Sequence, residues 1–417
     1  MELKRVVITG LGALTPIGNS CDEYWQNLLL GVSGACPITH FDAGRFRTQF
    51  ACEVKNFDIL KYMDVKESRK MDLFTQYAIA TSTEAIKDAA MDLSSINLER
   101  VGVVWGTGIG GFTSMCEAIS GFVLGDGEPR FNPFFIPKII GDIAAGQISI
   151  LFGFKGPNYV TTSACASAAN AITDAFNLVR LGKADIIITG GSEAPINPAG
   201  VGGFNAMQAL STRNDDPKTA SRPFDKGRNG FVIAEGAAAL VLEDLEHALR
   251  RGAKIYAEIG GCGMSSDAHH LTAPHPEGHG AALAMKHALE DAELPIEAVD
   301  NINTHGTSTP LGDIAEAKAI QSVFGDHAYN LNINAIKSMI GHLLGAAGAV
   351  ESVATVLTVF HDIVPPTINH FEDDENLDNK LNFTFNKAQK RVVNVAISNA
   401  FGFGGHNTSI LFKKYKL

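Results

Sequence analysis

Short apolar, β-branched runs punctuate the chain at Val6–Thr9, Val101–Trp105, Ile186–Thr189, Ala238–Leu242, Val392–Ser398 and Ser409–Phe412. None shows the apolar/polar alternation of a strand with one wet face, so each reads as a strand covered on both sides. Between them, apolar positions recur at helical spacing over Phe74–Ala90, Ala166–Leu181, Gly280–Ala292, Gly312–Phe324 and Ala346–Val359. Strands alternating with helices predict an α/β layered fold. The first run reads as a strand that enters a turn at Thr9-Gly10.

Two of the helical segments look alike. An Ala-rich helix follows Cys165, and a Gly/Ala-rich helix follows His342 in Gly341-His342-Leu343-Leu344-Gly345-Ala346-Ala347-Gly348. Strands rich in Val and Ile end in Gly in both parts of the chain. The pattern predicts two similar halves, 1–256 and 257–417, although no Pro/Ser-rich linker marks the division.

Composition narrows the class. Of 417 residues, 45% are hydrophobic and 19% charged, which suits a filled core rather than a disordered chain. The 42 glycines follow no period and imply tight turns and close backbone approaches. A net charge of −11 argues against nucleic-acid binding, which needs a basic face. The six cysteines are scattered without a CxxC pair, so neither a disulfide framework nor a zinc site is expected. Ligand spacing points to no metal, and no cofactor is expected. No signal-peptide pattern and no apolar run near the roughly 18–20 residues of a membrane helix are read, so no membrane partner is expected. A reducing, cytoplasmic setting fits these features.

Candidate chemistry centres on Thr161-Thr162-Ser163-Ala164-Cys165-Ala166-Ser167-Ala168. One cysteine stands among small residues where a loop enters a helix. Unpaired N–H groups and the positive end of the helix dipole favour thiolate there. The small neighbours leave room for an acyl group held as a thioester.

Three other segments stand out: Asn303-Thr304-His305-Gly306-Thr307-Ser308-Thr309, Asn334-Ala335-Ile336-Lys337-Ser338-Met339-Ile340-Gly341-His342, and Ser398-Asn399-Ala400-Phe401-Gly402-Phe403-Gly404-Gly405. Singly, each has an ordinary reading: a hydrogen-bonded structural histidine, a surface lysine, a glycine turn. Together, and in this order, they resemble the β-ketoacyl-[acyl-carrier-protein] synthases of the thiolase superfamily. The resemblance runs from Val6-Val7-Ile8-Thr9-Gly10-Leu11-Gly12 to the Gly-rich third segment. Ser211-Thr212-Arg213-Asn214, Ser221-Arg222-Pro223-Phe224-Asp225 and Ser266-Asp267-Ala268-His269-His270-Leu271-Thr272 are similar to the elongating, type II members.

The resemblance implies a thiolase-like fold, two similar α/β halves forming a layered α-β-α-β-α sandwich. It implies an acyltransferase of fatty acid biosynthesis that lengthens an acyl chain by decarboxylating Claisen condensation. Cys165, His305 and His342 fall on the family's catalytic triad, with Lys337 setting the local field. The N–H groups of Cys165 and Phe403 would form the oxyanion hole, and Phe403 the gate. Glu351, Asp313 and Glu316 would support these groups. Ile109 and Phe204 would line the acyl pocket, with Phe134 or Phe135 contributed by the partner of a homodimer. Thr307 and Thr309 would hold the pantetheine arm of the carrier protein. An acidic carrier needs a local basic patch, for which Lys66, Arg69, Lys70, Arg130 and Arg213 are candidates. Two other readings are a ketosynthase of a polyketide or specialised lipid pathway and, from another class, a Cys-dependent acyl hydrolase.

Overall fold

The computed structural model describes residues 3–416. Ten strands form one sheet: β1 (Val6–Leu14), β2 (Val101–Gly106), β3 (Asn158–Thr161), β4 (Ile186–Glu193), β5 (Gly236–Asp244), β6 (Ala257–Ser266), β7 (Asn301–Asn303), β8 (Asn332–Asn334), β9 (Val395–Gly402) and β10 (His406–Lys413). Their order in space is β8-β7-β9-β10-β6-β1-β5-β4-β2-β3.

Read inward from the two edges, the orders are β3-β2-β4-β5-β1 and β8-β7-β9-β10-β6. Each strand of the first set corresponds to the strand five places later in the second. Directions repeat as well: β2 and β7 each run parallel to both neighbours, and the other pairs in each set are antiparallel. The sets meet at β1 and β6, antiparallel, with Val6 opposite Ile259.

Five helices complete the layers: α1 (Leu73–Asp88), α2 (Ser167–Arg180), α3 (His279–Asp291), α4 (Pro310–Phe324) and α5 (Ala347–His361). Helices α2 and α5 touch each other and lie between the two parts of the sheet, each packed on strands of both. Helix α1 covers β1 and β5 on one outer face; α3 covers β6 and β10 on the other, with α4 packed beside α3. The result is the α-β-α-β-α sandwich of a thiolase-like α/β fold. The central position explains the composition of α5, which is buried at every residue from Ala347 to Val359.

That burial also corrects one expectation. Leu344–His361 is long and apolar enough, by length and composition, to cross a membrane. It is 89% buried inside the protein and serves as a core helix.

A second correction concerns β1. The expected turn at Thr9-Gly10 is absent, and the strand runs to Leu14. Gly10 and Gly12 are notches for α1: a Cβ at either would lie 2.2 and 2.0 Å from the carbonyl oxygens of Ala85 and Thr81. The run expected from Val392 begins at Val395 instead, and Val392 is 63% exposed.

Candidate active site

The nucleophile turn is built by short-range hydrogen bonds. Ser167, the first residue of α2, donates its hydroxyl to the Ala164 carbonyl at 2.6 Å and accepts the Ser163 N–H at 2.9 Å. Asn170, one turn on, donates to the Ser163 hydroxyl at 2.7 Å. These contacts hold Ala164 at a φ of 50°, a left-handed conformation that costs a non-glycine residue roughly 1–3 kcal/mol. Cys165 follows, buried, two residues before the helix begins.

The Phe403 backbone N–H lies on the side of the Cys165 sulfur and favours its anion. Close approach of this loop requires its glycines. A Cβ at Gly402 would sit 2.6 Å from the Ser163 carbonyl oxygen and 3.1 Å from the Cys165 nitrogen. Gly404 and Gly405 close the β9–β10 turn at φ 89° and 77°. Burial pushes the Cys165 thiol up to about 12, against the Lys337 charge and the Phe403 N–H. Desolvation thus works against the thiolate that the helix start was expected to favour, while Lys337 and the Phe403 N–H work for it.

His305 follows β7, and His342 lies just before α5. Their rings stand edge to face with centroids 5.3 Å apart. The Lys337 ammonium donates to the His305 carbonyl at 2.7 Å and lies 3.4 Å from its Nδ1. An ammonium only donates, so Nδ1 accepts and the His305 proton resides on Nε2. Lys337 also pairs with Glu351; both are buried. Burial raises the Glu351 carboxyl to about 7, and Lys337 opposes the shift. Both histidines are held neutral, well below their ordinary value, by burial and by the Lys337 charge.

Glu316, on α4, accepts the N–H groups of His305 at 2.9 Å and Gly306 at 2.8 Å. Asn399 donates to the same carboxylate at 3.1 Å. Asp313, one turn earlier, accepts the Phe224 N–H at 2.9 Å and lies 3.4 Å from the buried Arg228. Burial raises Glu316 to about 7 and Asp313 to about 6. Glu316 thus fixes the backbone of the His305 turn, Asp313 that of Phe224, and Glu351 holds Lys337.

Cys165, His305, His342 and Phe403 line one cavity of about 320 Å³. Thr307 and Thr309, with hydroxyl oxygens 3.0 Å apart, line it too. Phe204 reaches it from the apolar side, edge to face with Phe231, which in turn meets His342; both centroid distances are 5.3 Å. Ile109 lies outside the lining of this cavity and is 38% exposed.

The basic candidates do not form one patch of free charges. Lys66 is exposed on the short helix Val65–Ser68 and Arg69 is exposed at its C-terminal end. Lys70 is committed to Glu67 at 2.6 Å and sits 5.6 Å above the Phe134 ring. Arg130 is exposed and pairs with Asp126 at 3.2 Å. Arg213 is half-buried and donates to the Gly227 carbonyl at 3.3 Å. Phe135 packs against Phe131, with ring centroids 5.3 Å apart.

Sequence reasoning missed the strained Ala164, Ser167, Arg228 and Glu193. The Glu193 signal was legible: a charged residue closes an apolar strand that is buried throughout.

Family models for the β-ketoacyl synthase N-terminal domain and C-terminal domain match residues 3–248 and 256–371. The chain belongs to the β-ketoacyl synthase family. It is thus an acyltransferase-class condensing enzyme. This β-ketoacyl synthase is 49% identical over 416 residues to a 3-oxoacyl-[acyl-carrier-protein] synthase 2 of Synechocystis, covering 100% of this chain and 99% of the relative. A crystal structure of a β-ketoacyl synthase from Burkholderia phymatum matches with a TM-score of 0.91 and 36% identity, over 99% of this chain and 100% of the other. A type II polyketide acyl-carrier protein in complex with its ketosynthase, bound to the hexaketide, matches with a TM-score of 0.90 and 32% identity, over 100% of both chains.

Proposed function

We propose that this β-ketoacyl synthase is an elongating 3-oxoacyl-[acyl-carrier-protein] synthase of fatty acid biosynthesis, with Cys165, His305 and His342 as its catalytic residues. The observation that carries the reading is the meeting of these three side chains in one apolar-walled cavity, which Phe403 also lines.

In the first half-reaction the Cys165 sulfur attacks the acyl thioester of the carrier protein. The carbon–sulfur bond to the carrier breaks, and the cysteine proton leaves with the carrier thiol. The developing oxyanion is met by the N–H groups of Cys165 and Phe403. In the second, a malonyl thioester loses carbon dioxide. The electron pair of the broken bond delocalises onto the thioester oxygen, where Nε2–H of His305 and the ring of His342 stabilise it. The carbanion attacks the acyl-enzyme, the Cys165–acyl bond breaks with its electron pair returning to the sulfur, which takes up a proton from water, and a β-ketoacyl carrier two carbons longer departs. Neutral imidazoles suit this work, because an N–H donor stabilises an enolate without itself needing to ionise. Lys337, Glu351, Glu316 and Asp313 act by orienting the histidine turns.

Phe403 serves as gate on a turn latched to the neighbouring loop: Gly404 N–H donates to the Leu271 carbonyl at 2.8 Å and Asp267 N–H to the Gly405 carbonyl at 2.9 Å. Thr307 and Thr309 hold the pantetheine arm. Lys66 and Arg69 form the centre of carrier docking, with Lys70, Arg130 and Arg213 beside them; no metal or cofactor enters the reaction.

The division into halves 1–256 and 257–417 is part of the proposal and is supported by the repeated strand order. So is a homodimer. Strand β3 ends the sheet, and Phe122, Phe131, Phe134 and Ile136 are 39–57% exposed, with Phe122 against Phe131, an apolar face of the kind a second copy covers. We place the enzyme in the cytoplasm, where its six free cysteines would stay reduced.

The test is incubation with acyl-carrier and malonyl-carrier protein, followed by mass analysis of enzyme and product. A longer β-ketoacyl product supports elongation, and free fatty acid alone supports the acyl hydrolase reading. A preference for polyketide intermediates over saturated acyl chains would favour the specialised-pathway reading.

A further inference from the structure

Glu193 is fully buried at the end of β4 and makes no contact that the proposed chemistry uses. Its Oε2 accepts the N–H groups of Gly108 at 2.8 Å and Gly345 at 3.0 Å. Its Oε1 accepts the Ile109 N–H and the Thr107 hydroxyl, both at 3.2 Å. Thr107–Ile109 follows β2 in the first half of the chain. Gly345 lies in the second half, three residues after His342.

The two turns approach this closely because residue 345 is glycine. A Cβ at Gly345 would lie 2.2 Å from the Gly108 nitrogen and 2.5 Å from Oε2 of Glu193. Leu344, the neighbour of Gly345, lines the cavity and is held at a φ of 48°. The carboxylate thus fixes a strained wall residue on one side and the Ile109 turn on the other. Its charge does not help the nucleophile: it opposes ionisation of Cys165. Burial pushes the carboxyl up to about 7, and its hydrogen-bond donors pull the other way.

We propose that Glu193 is a positioning residue for acyl-chain acceptance, clipping the Thr107–Ile109 turn to the Leu344–Gly345 turn and so setting the wall that a long chain meets. This rests on the condensing function proposed above. A glutamine would present one oxygen and one NH₂ group to three backbone N–H groups and the Thr107 hydroxyl; the hydroxyl can turn to accept, so at least one backbone contact would become donor against donor.

The test uses the full-length enzyme and two substitutions that break the clip from opposite sides, Glu193→Gln and Gly108→Ala. A Cβ at Gly108 would lie 2.9 Å from Oε2 of Glu193. Acylation of Cys165 is measured for short and long saturated acyl-carrier proteins. In both variants the long-to-short ratio of kcat/KM is expected to fall at least about tenfold, the scale on which a pocket discriminates small changes in an apolar substrate. If Glu193→Gln fails to fold, Gly108→Ala alone decides. Equal losses at every chain length, or an unchanged ratio, would overturn the proposal. A wild-type enzyme that acylates Cys165 with neither substrate would instead overturn the condensing reading on which it rests.

Discussion

Lys337 grips His305 twice, donating to its carbonyl at 2.7 Å and lying 3.4 Å from its Nδ1, while pairing with Glu351 behind it. The lysine therefore sets the tautomer of a ring that it never protonates. Its charge lowers the basicity of both histidines, so the same residue orients the donors and keeps them neutral.

Replacing this lysine separates its two roles. Lys337→Met frees the His305 ring and leaves Glu351 buried without a partner. Malonyl decarboxylation is expected to fall by ~10²–10³, the cost of losing one preorganised donor. Stability is expected to fall by about 3–5 kcal/mol, as for breaking a buried pair. The double variant Lys337→Met/Glu351→Leu should recover the stability and not the rate. Denaturant unfolding and carbon dioxide release measure the two, and recovery of both would remove the orienting role.

Glu316 gives a pH prediction with a defined sign. Its carboxyl is raised from 4.5 to about 7. Between those values the folded protein holds a proton that the unfolded chain has lost, so this group's contribution to stability falls as pH rises. The stability of wild type relative to Glu316→Gln should therefore decline from pH 4.5 to 7 and level off above. Denaturant midpoints across that range check it. A difference that grows with pH would mean the carboxyl is ionised throughout.

Carrier docking is expected to be graded by how free each positive charge is. Lys66→Glu and Arg69→Glu should raise KM for the carrier-bound substrate by about tenfold, more strongly at low salt, and spare free thioesters. Lys70→Glu should do less, because Lys70 is already paired with Glu67. Steady-state kinetics with both substrate forms distinguishes them; equal effects on free and carrier-bound thioesters would remove the docking role.

Much of the fold was readable because it is apolar and periodic. The runs at Val101 and Ile186 became β2 and β4, and the five predicted helices appear within a few residues of their expected ends. What escaped was polar or glycine-rich. Strand β6 begins Ala257-Glu258-Ile259-Gly260-Gly261 and carries little β propensity. Strand β8 reads Asn-Ile-Asn, a turn-like composition, as does β7, the short strand expected before His305; in both the asparagines are buried, and Asn301 donates to Asn334 at 2.9 Å across the pair. At the site, Cys165, His305, His342 and Phe403 were legible as motifs. Ala164 was not, since backbone strain leaves no mark on an alanine. Arg228 was not, since a buried arginine looks like a surface one until its partners Asp313 and Asp374 are folded around it.

The central claim is a division of labour: Cys165 holds the chain, and the two histidines make the carbanion. Cys165→Ala tests it most directly, assayed for carbon dioxide release from malonyl-carrier protein and for condensation with an acyl carrier. The account predicts no longer product and decarboxylation that persists, because His305 and His342 remain in place. A folded Cys165→Ala protein that releases no carbon dioxide, or that still forms the longer product, would contradict it.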